Sequence, residues 1–365
     1  MDKSIIIAFL GNAKYDARCL NMAYSLANNN FKVVLIDELS NKGNLNSSQF
    51  ESYHVDTIQK TGIKRYWNYH CRVQGITRRV NPDIFISADL FSLAICSKLT
   101  SSSLKIFDCR ELYTNLASLV NQPLKQFFWS LYERIYYKNM DKVLVTANSD
   151  KAFLLSKYGN KDIQIIYNFP KSSQMTHHIN IKEKYDISEN MKIFIYQGAI
   201  QVGRGIDEMI SLLKDFKDCV ALIVGEGKYK SDLEKLSREL KVENRVIYTG
   251  VIPYIELLNI TKQADIGFSL IQPISKSYMQ ALPNKLFEYG LAGVPTIASN
   301  FPEMKKYIEQ YNLGIVVNPI NSENQIEAVK SLLNWSDRNQ LIQTVSNNFT
   351  WEAQEINFLA LMKNK

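Results

Sequence analysis

The sequence predicts two α/β domains, each built on a doubly wound parallel sheet. Short apolar runs alternate with amphipathic stretches along the chain, which is the pattern of strands and helices in such sheets. The alternation breaks between Tyr167 and Glu183, where Pro, Ser, paired His and charged residues cluster. At 365 residues the chain is long for one domain and natural for two. We expect an N-terminal domain over 1–170, a C-terminal domain over 171–349, and a helix over 350–365 that packs back on the first domain.

The individual elements follow from the apolar periodicity. Strands are predicted for SIIIAFLG, KVVLID, PDIFISAD, LKIFD and KVLVTAN in the first half, and for MKIFIYQG, CVALIVGEG, NRVIYTG, ADIGFSLI, VPTIASN and GIVVNP in the second. Helices are predicted over 16–30, 230–240 and 284–292. Ligands of open α/β sheets bind at the carboxyl ends of strands, so functional residues should directly follow these strands and face an interdomain cleft.

Composition excludes several classes of protein. Hydrophobic residues make up 46% and charged residues 22%, which is typical of globular domains. The net charge of +7 is small for a nucleic-acid binder and instead fits an anionic ligand or a neighbouring anionic membrane surface. Five cysteines without a C-x-x-C pair favour a reducing compartment and no zinc site. The short apolar run near the N-terminus predicts neither signal peptide nor membrane span, so we expect a cytoplasmic protein, peripheral at most to the inner face of the membrane.

Several segments, taken in order, match one enzyme family. ALPNKLFEYGLAGVPTIASNFPEM resembles the donor-binding signature of family 4 glycosyltransferases, which are retaining enzymes of the GT-B fold. IFIYQGAIQVGRGIDEMI resembles the first strand and phosphate loop of their C-terminal domain, and ALIVGEGKYKSDLEKL resembles the next unit. YDARCLNMAYSLANNNFKVVLID and ERIYYKNMDKVLVTANS, in the N-terminal half, are similar to the family as well. The resemblance implies two Rossmann-like domains that face each other across a cleft.

The resemblance also implies an activity and its substrates. The expected reaction transfers a sugar from a UDP- or GDP-linked donor to a glycan or lipid-linked acceptor, in the synthesis of a surface polysaccharide. No residue presents itself as a nucleophile, and the family resemblance implies a front-face mechanism in which the leaving diphosphate deprotonates the acceptor hydroxyl. On this interpretation the protein contributes positioning and charge stabilisation, without a metal ion or other cofactor.

Glu288 is the candidate ribose ligand. The family motif Glu-x7-Glu is incomplete here, because Gln280 occupies the first position and Glu288 the second. The resemblance implies that Glu288 accepts hydrogen bonds from two adjacent ribose hydroxyls, which suits a carboxylate. Residues 284–288 are also predicted at a helix N-terminus, where phosphate is attracted. A Glu placed only for the helix dipole is the alternative, and Gln280 leaves the role near the donor-sugar hydroxyls open.

Arg204 and Lys285 are the candidate phosphate-binding cations. Negative charge builds on the leaving diphosphate, so fixed positive groups beside it accelerate transfer. The sequence contains no D-x-D motif to hold a divalent ion, so basic side chains are expected in its place. The family has an Arg after the first loop Gly and a Lys before the second; these positions are Ala199 and Arg204 here. Lys285 is placed to compensate for the missing cation, although each residue could instead be a solvated surface side chain.

Glycine-rich loops supply the other donor-binding candidates. GAIQVGRG lets the backbone approach a diphosphate, and VGEG corresponds to the loop that borders the base pocket in the family. The loop after the first strand corresponds to one that approaches donor phosphate and acceptor. The predicted donor-binding residues are Gly11, Gly198, Gly203, Gly205, Gly225, Gly227, Gln280, Pro283, Asn284 and Leu286.

Charged residues of the first half are candidates for the acceptor side, namely Asp16, Arg18, Asp89, Arg110 and Glu111. Two histidines frequent in the family are replaced, one by Ala88 ahead of Asp89 and one by Arg110 ahead of Glu111. Arg110 would suit an acceptor that carries phosphate or carboxylate, but a structural pair with an acidic residue explains it equally well. Asp16 and Arg18 either face the cleft or form a salt bridge at the start of a helix.

The segment PLKQFFWSLYERIYYKNM mixes aromatic and basic residues. It could form an interfacial helix that touches lipid near a lipid-linked acceptor. We prefer a core helix, because aromatic residues at helical spacing more often pack inward.

Two other functions remain open from the sequence. One is a GT-B nucleotide-sugar 2-epimerase, against which the scarcity of histidine argues, since only 4 occur. The other is a catalytically degenerate protein that binds a nucleotide-sugar or a partner without turnover. The departures at Ala88, Ala199 and Gln280 keep this second alternative open.

Overall fold

The computed structural model describes residues 3–41, 43–58, 61–116, 119, 121–172 and 179–363. The chain forms two compact units: Met1–Asn168 with Gln354–Lys365, and Phe169–Ala353. The division between Asn168 and Phe169 lies close to the predicted boundary at 170/171. Positions 173–178 of the predicted linker lie outside the described residues.

The first unit contains a seven-stranded parallel sheet in the order β3-β2-β1-β4-β5-β6-β7. Its strands are β1 (Ser4–Ala8), β2 (Lys32–Glu38), β3 (Glu51–Val55), β4 (Ile84–Ser87), β5 (Leu104–Cys109), β6 (Lys142–Val145) and β7 (Ile163–Ile165). Its helices before the chain crosses to the second unit are α1 (Ala17–Asn28), α2 (Ile63–Val80), α3 (Leu93–Ser97), α4 (Pro123–Tyr137) and α5 (Asn148–Tyr158). Chain order reverses between β1 and β4, and sheets of this type bind ligands at such a switch point.

The second unit contains a six-stranded parallel sheet in the order β10-β9-β8-β11-β12-β13. Its strands are β8 (Lys192–Gln197), β9 (Cys219–Val224), β10 (Val246–Gly250), β11 (Ile266–Ser269), β12 (Thr296–Ser299) and β13 (Gly314–Val317). Its helices are α6 (Ile181–Lys184), α7 (Ile206–Leu212), α8 (Lys230–Glu239), α9 (Tyr254–Thr261), α10 (Lys276–Met279), α11 (Lys285–Leu291), α12 (Pro302–Tyr311), α13 (Ser322–Leu333) and α14 (Arg338–Asn348). Here the order reverses between β8 and β11.

The predicted α/β class is confirmed, and the sheets explain the apolar runs. Parallel strands carry helices on both faces, so consecutive residues are buried rather than alternate ones. Ile5, Ile6 and Ile7 of β1 are fully buried, as are Ile193, Phe194 and Ile195 of β8. Continuous burial of this kind accounts for the apolar runs that identified these strands.

The final helix, α15 (Trp351–Lys363), returns the chain to the first unit. The Gln354 side chain holds the backbone of Tyr167 from both sides: Nε2 donates to its carbonyl at 2.6 Å, and Oε1 accepts from its N–H at 2.9 Å. Lys142 Nζ donates to the Leu361 carbonyl at 2.9 Å. Residues 354–363 of the helix therefore pack on the first unit, whereas residues 350–353 of the predicted segment 350–365 belong to the second unit.

Helix α4 contradicts part of the core prediction. Trp129, Tyr132 and Tyr136 do pack against the core of the first unit. Phe127 and Phe128, however, remain 70% and 61% exposed. Among the described residues, no helix combines the length and the apolar character needed to cross a bilayer.

Candidate functional site

The loops that follow β8, β9 and β11 meet at the switch point of the second unit. A Cβ atom added to Gly225 would lie 2.0 Å from the carbonyl oxygen of Gly198, and one added to Gly227 would lie 1.9 Å from that of Ile200. Only glycine permits such an approach between two backbones. The Gly225 and Gly227 pair therefore packs the loop after β9 against the loop after β8.

The loop after β8 also packs against the segment after β11. Gly203 and Gly205 lie against Ile274 and Leu270, and the N–H of Gln272 donates to the Gly203 carbonyl at 2.9 Å. All five predicted glycines of the second unit thus lie in one joined set of loops. These contacts explain why glycine is required at these positions, whether or not a phosphate is bound.

Lys285 lies among these loops and is buried, which is unusual for a lysine. Its side chain is 7% exposed, and Nζ sits 3.7 Å from the centroid of the Tyr196 ring. A Cβ on Gly198 would lie 3.6 Å from the same Nζ, so the ammonium points at the backbone of the glycine loop. Burial lowers the pKa of Lys285 well below its usual value, and the nearby Arg204 lowers it further, while Glu288 opposes the shift.

Glu288, on the first turn of α11, is hydrogen-bonded to the end of β8. Gln197 Nε2 donates to Glu288 Oε2, and Gln197 Oε1 in turn accepts from the Thr261 hydroxyl at 2.9 Å. Burial raises the pKa of the Glu288 carboxyl, while the bond from Gln197 and the charge of Lys285 lower it. The carboxylate is therefore oriented by one amide and keeps its second oxygen for other partners.

Arg204 is the second cation of this cluster. Its guanidinium carbon lies 4.5 Å from the centroid of the Tyr278 ring, a cation–π distance. Its Nε atom is buried and makes no hydrogen bond within the described part of the chain. Because Arg204 also depresses the pKa of Lys285, the two positive groups are close enough to repel each other. A bound anion would relieve this repulsion.

The segment before α11 contains the other predicted donor residues. Gln280 caps the C-terminus of α10, and the Asn284 carbonyl accepts from the N–H groups of Phe287 and Glu288. Pro283 is half-buried, and its carbonyl accepts from the Leu286 N–H at 3.2 Å. The Leu286 side chain is fully buried. We therefore assign Leu286 to the core, which corrects its prediction as a donor-binding residue.

The predicted acceptor residues of the first unit form an ion network. Arg110 donates to Asp16 at 2.6 Å and to Asp108 at 3.3 Å. Arg18 donates to Asp108 through Nε and Nη2 and to the Ile166 carbonyl through Nη1. Asp16 also caps α1 by accepting from the Cys19 N–H at 2.8 Å.

This network overturns one acceptor prediction and weakens another. Arg18 is 1% exposed, so it cannot face a cleft and instead forms a buried salt bridge with Asp108. Arg110 forms the structural pair that the sequence left as an alternative, because two carboxylates already neutralise it. Asp16, with 21% of its side chain exposed, stays accessible.

Asp89 and Gly11 lie at the switch point of the first unit. Asp89 is 2% exposed and accepts from the N–H groups of Leu10, Phe91 and Ser92, so it joins the loop after β4 to the loop after β1. Burial raises its pKa, and these hydrogen bonds oppose the rise. The structure assigns Asp89 to loop architecture and corrects its acceptor role. The Gly11 carbonyl accepts from the Glu38 N–H at 2.8 Å. Glu111, the last of the predicted acceptor residues, is exposed.

Three residues of the second-unit site were missed from the sequence, namely Gln197, Tyr196 and Tyr278. The signal for Gln197 was a polar residue at the end of the apolar run KIFIYQ, at the carboxyl edge where ligands bind. Tyr196 and Tyr278 had no such signal, because their contacts with Lys285 and Arg204 join separate loops.

Solved structures share this fold over nearly the whole chain. Sucrose-phosphate synthase from Thermosynechococcus elongatus has a TM-score of 0.81 at 14% identity, covering 99% of this chain and 98% of that one. Alr3699/HepE of Anabaena, crystallised with UDP-glucose, has a TM-score of 0.74 at 11% identity and covers 99% of both. The protein therefore belongs to the GT-B class, which is built from two Rossmann-like α/β domains.

Sequence comparison then identifies the family of the second unit. Residues 178–347 match the family Glycosyl transferases group 1. This range covers nearly all of Phe169–Ala353, so the second unit is a glycosyl transferases group 1 domain. The resemblance of the chain to family 4 glycosyltransferases is confirmed.

Curated relatives agree with this assignment. The alpha-D-kanosaminyltransferase of Streptomyces kanamyceticus is 26% identical over 164 residues, which are 42% of this chain and 39% of that protein. An uncharacterized glycosyltransferase of Methanocaldococcus jannaschii is 21% identical over 310 residues, which are 80% of this chain and 73% of that protein. The chain thus spans less than half of the first relative and about three quarters of the second.

Proposed function

We propose that the protein is a retaining glycosyltransferase that moves a sugar from a nucleoside-diphosphate sugar, UDP- or GDP-linked, to a glycan or lipid-linked acceptor. The single observation that carries this proposal is the cluster of Arg204, Lys285 and Glu288 around the Gly198 loop. Two cations and one carboxylate converge at the switch point of the second sheet, where ligands of such sheets bind. The relative crystallised with UDP-glucose supports this class of donor.

The two cations suit the leaving diphosphate. Lys285 is fixed by burial against Tyr196, and Arg204 is fixed by stacking on Tyr278. Preorganised positive groups stabilise charge that develops in the transition state without reorganising at that moment. We propose that they replace a divalent metal ion, so that transfer proceeds without one. Their mutual repulsion in the absence of an anion favours diphosphate binding.

Glu288 suits the ribose. Its carboxylate is held by Gln197 at the end of β8, next to the glycine loops that would surround a diphosphate. One amide bond leaves acceptor capacity on the carboxylate for two neighbouring hydroxyls. We propose that Glu288 binds the ribose and that Gln280, Pro283 and Asn284 border the donor.

Glu111 is our first remaining candidate for acceptor contacts, and Asp16 is the weaker one, because its oxygens already accept from Arg110 and from the Cys19 N–H. Both are accessible, whereas Arg18 and Asp89 are buried. An acidic residue suits the hydroxyl groups of a glycan, while Arg110 is already neutralised by Asp16 and Asp108. We therefore favour a neutral glycan acceptor end over an anionic one, in the synthesis of a surface polysaccharide.

A second candidate function is nucleotide-sugar binding without turnover. Ala199 stands in the loop after β8 where the family carries an arginine, so one cation fewer faces the diphosphate. Lys285 offsets this loss only if its ammonium is charged when the donor is bound. This function predicts tight donor binding with neither transfer nor hydrolysis.

One experiment separates these functions. The purified protein is screened by thermal shift against UDP, GDP and their sugar conjugates, and the best ligand is then tested for donor hydrolysis with and without a chelator. We expect stabilisation by one nucleotide diphosphate and chelator-resistant hydrolysis. Stabilisation without hydrolysis or transfer to glycan acceptors would favour the binding protein, and a strict requirement for a divalent ion would refute the metal-free mechanism.

A further inference from the structure

Helix α4 presents an apolar stripe to solvent along its whole length. Leu124, Phe127, Phe128, Leu131 and Ile135 are 85%, 70%, 61%, 47% and 44% exposed. A helix advances about 100° per residue, so these five side chains fall within an arc of about 100°. They form a continuous face, which we call the α4 stripe, rather than scattered surface residues.

The opposite side of α4 fixes this orientation. Trp129, Tyr132 and Tyr136 pack against the core of the first unit. Glu133 is buried and accepts from Lys157 at 2.9 Å and from the Tyr158 hydroxyl. Rotating the helix to hide the stripe would expose these rings and break a buried ion pair. The stripe is therefore held outward by the packing behind it.

The charges beside the stripe all have one sign. Lys125 and Arg134 are exposed on its two flanks, and Lys138 is exposed at its C-terminal end. The one acidic residue of α4 is Glu133, which is buried and paired with Lys157. The solvent face of α4 therefore offers apolar side chains and cations, with no carboxylate among them.

Helix α2, which lies beside α4, also exposes apolar side chains. Tyr66 of α2 packs edge-to-face on Trp129 of α4 at 5.2 Å between ring centroids, so the two helices are neighbours. The same turns of α2 expose Ile63 by 84% and Trp67 by 67%. Tryptophan prefers the boundary between lipid tails and water, where its ring is apolar and its N–H is solvated.

We propose that the α4 stripe, together with Ile63 and Trp67, docks the protein on an anionic lipid bilayer. The helix would lie in the plane of the interface, with Phe127 and Phe128 among the acyl chains and the flanking cations at the level of the lipid phosphates. At 15 residues α4 is too short to span a bilayer. A second copy of the chain is a poorer partner, because symmetric pairing would bring like cations together.

The test is flotation of the purified full chain with vesicles of phosphatidylcholine alone or mixed with phosphatidylglycerol. We expect binding to the mixed vesicles and weaker binding to the neutral ones. F127S combined with F128S should lower the partition coefficient for mixed vesicles by about tenfold or more. K125Q combined with R134Q should lower it about fivefold per charge at low salt, and the remaining binding should depend less on salt.

I356S is the matched control, because Ile356 is 75% exposed on a different helix, α15. It should leave partitioning unchanged, and circular dichroism should show that all variants are folded. The proposal is overturned if the wild type does not float with anionic vesicles, or if I356S weakens binding as much as the phenylalanine pair. A dimer that the phenylalanine pair dissociates, without vesicle binding, would assign the stripe to a second copy. Binding is read without turnover, so the result is independent of the proposed activity.

Discussion

Gln197 holds Glu288 in place: its side-chain amide donates to the Glu288 carboxylate and accepts from the Thr261 hydroxyl. Gln197 is 3% exposed and Glu288 is half-buried, so the amide lies beneath the carboxylate that a nucleotide would contact. The Glu288 carboxylate, which we propose binds the ribose, is therefore oriented by a residue that need not contact the nucleotide. This makes Gln197 a positioning residue.

Removing this amide should weaken donor binding. For Q197A we expect the KM for the donor to rise about tenfold, with a smaller effect on kcat, because an unrestrained carboxylate loses its orientation toward the ribose. Steady-state kinetics and nucleotide titration measure this. Q263A is the control, since Gln263 makes comparable amide bonds to Ile179 and Asn259. Equal effects of Q197A and Q263A would contradict the positioning role.

Removing either cation should slow turnover. We expect R204A and K285A each to lower kcat by about 10²-fold or more, the scale of losing one group that stabilises transition-state charge. K230A is a suitable control, because Lys230 is a half-buried lysine in the same unit that also lies near a tyrosine ring. Single-turnover assays with saturating donor report the chemical step. Unchanged rates in both site variants would remove the phosphate assignment.

Nucleotide binding should depend on pH through Lys285. Burial and Arg204 lower its pKa in the empty site, and a diphosphate at the ammonium would raise it again. Binding then takes up a proton at pH values between the lowered pKa and the higher pKa of the complex. Affinity should fall as pH rises through that window. Calorimetry in buffers of different ionisation enthalpy measures the proton uptake, which K285M should abolish; uptake that persists in K285M would assign the proton elsewhere.

Stability should depend on pH through Glu208. Burial and the neighbouring Asp207 raise the pKa of Glu208 to about 8. As pH rises above the pKa of the unfolded chain, the carboxyl ionises in the unfolded state but stays protonated in the folded state. The folded state is therefore destabilised by an amount that is absent below the unfolded pKa and grows as pH rises toward 8. E208Q should therefore raise Tm by several degrees near pH ~9 and change it little near pH ~5. Equal shifts at both pH values would contradict this account.

Arg18 should matter for stability rather than for turnover. R18M removes one partner of the buried pair with Asp108 and should lower the free energy of unfolding by about 3–5 kcal/mol. Denaturant unfolding measures the loss. Below the melting transition, KM for donor and acceptor should match the wild type, because Arg18 is 1% exposed. A selective rise in acceptor KM would restore the acceptor role.

The parts of the fold that could be predicted are those with continuous burial. The first helix was expected over 16–30 and is Ala17–Asn28, and the helix expected over 284–292 is Lys285–Leu291. The edge strands β3 and β7 were missed. β3 reads ESYHV and is mostly half-buried, and β7 has only 3 residues, so neither has the apolar run of a central strand.

The candidate site shows a similar limit. Arg204, Lys285 and Glu288 were found because a motif identifies them within short segments. The structural role of Arg18 could not be predicted, because its partner Asp108 lies 90 residues away and pairing at that separation leaves no local sequence pattern. The exposure of Phe127 and Phe128 was also hidden, because both faces of α4 are apolar and periodicity alone does not say which one packs inward.

The clamp between Gln354 and Tyr167 bears on how the chain is assembled during translation. The second unit is inserted within the first, so the ribosome makes all of Phe169–Ala353 before it makes the part of α15 that closes on residues 142 and 167. The second unit is one continuous stretch of chain, so all of its strands are synthesised before the last helix of the first unit. Nascent molecules thus contain the whole sequence of the second unit before the first unit receives its last helix.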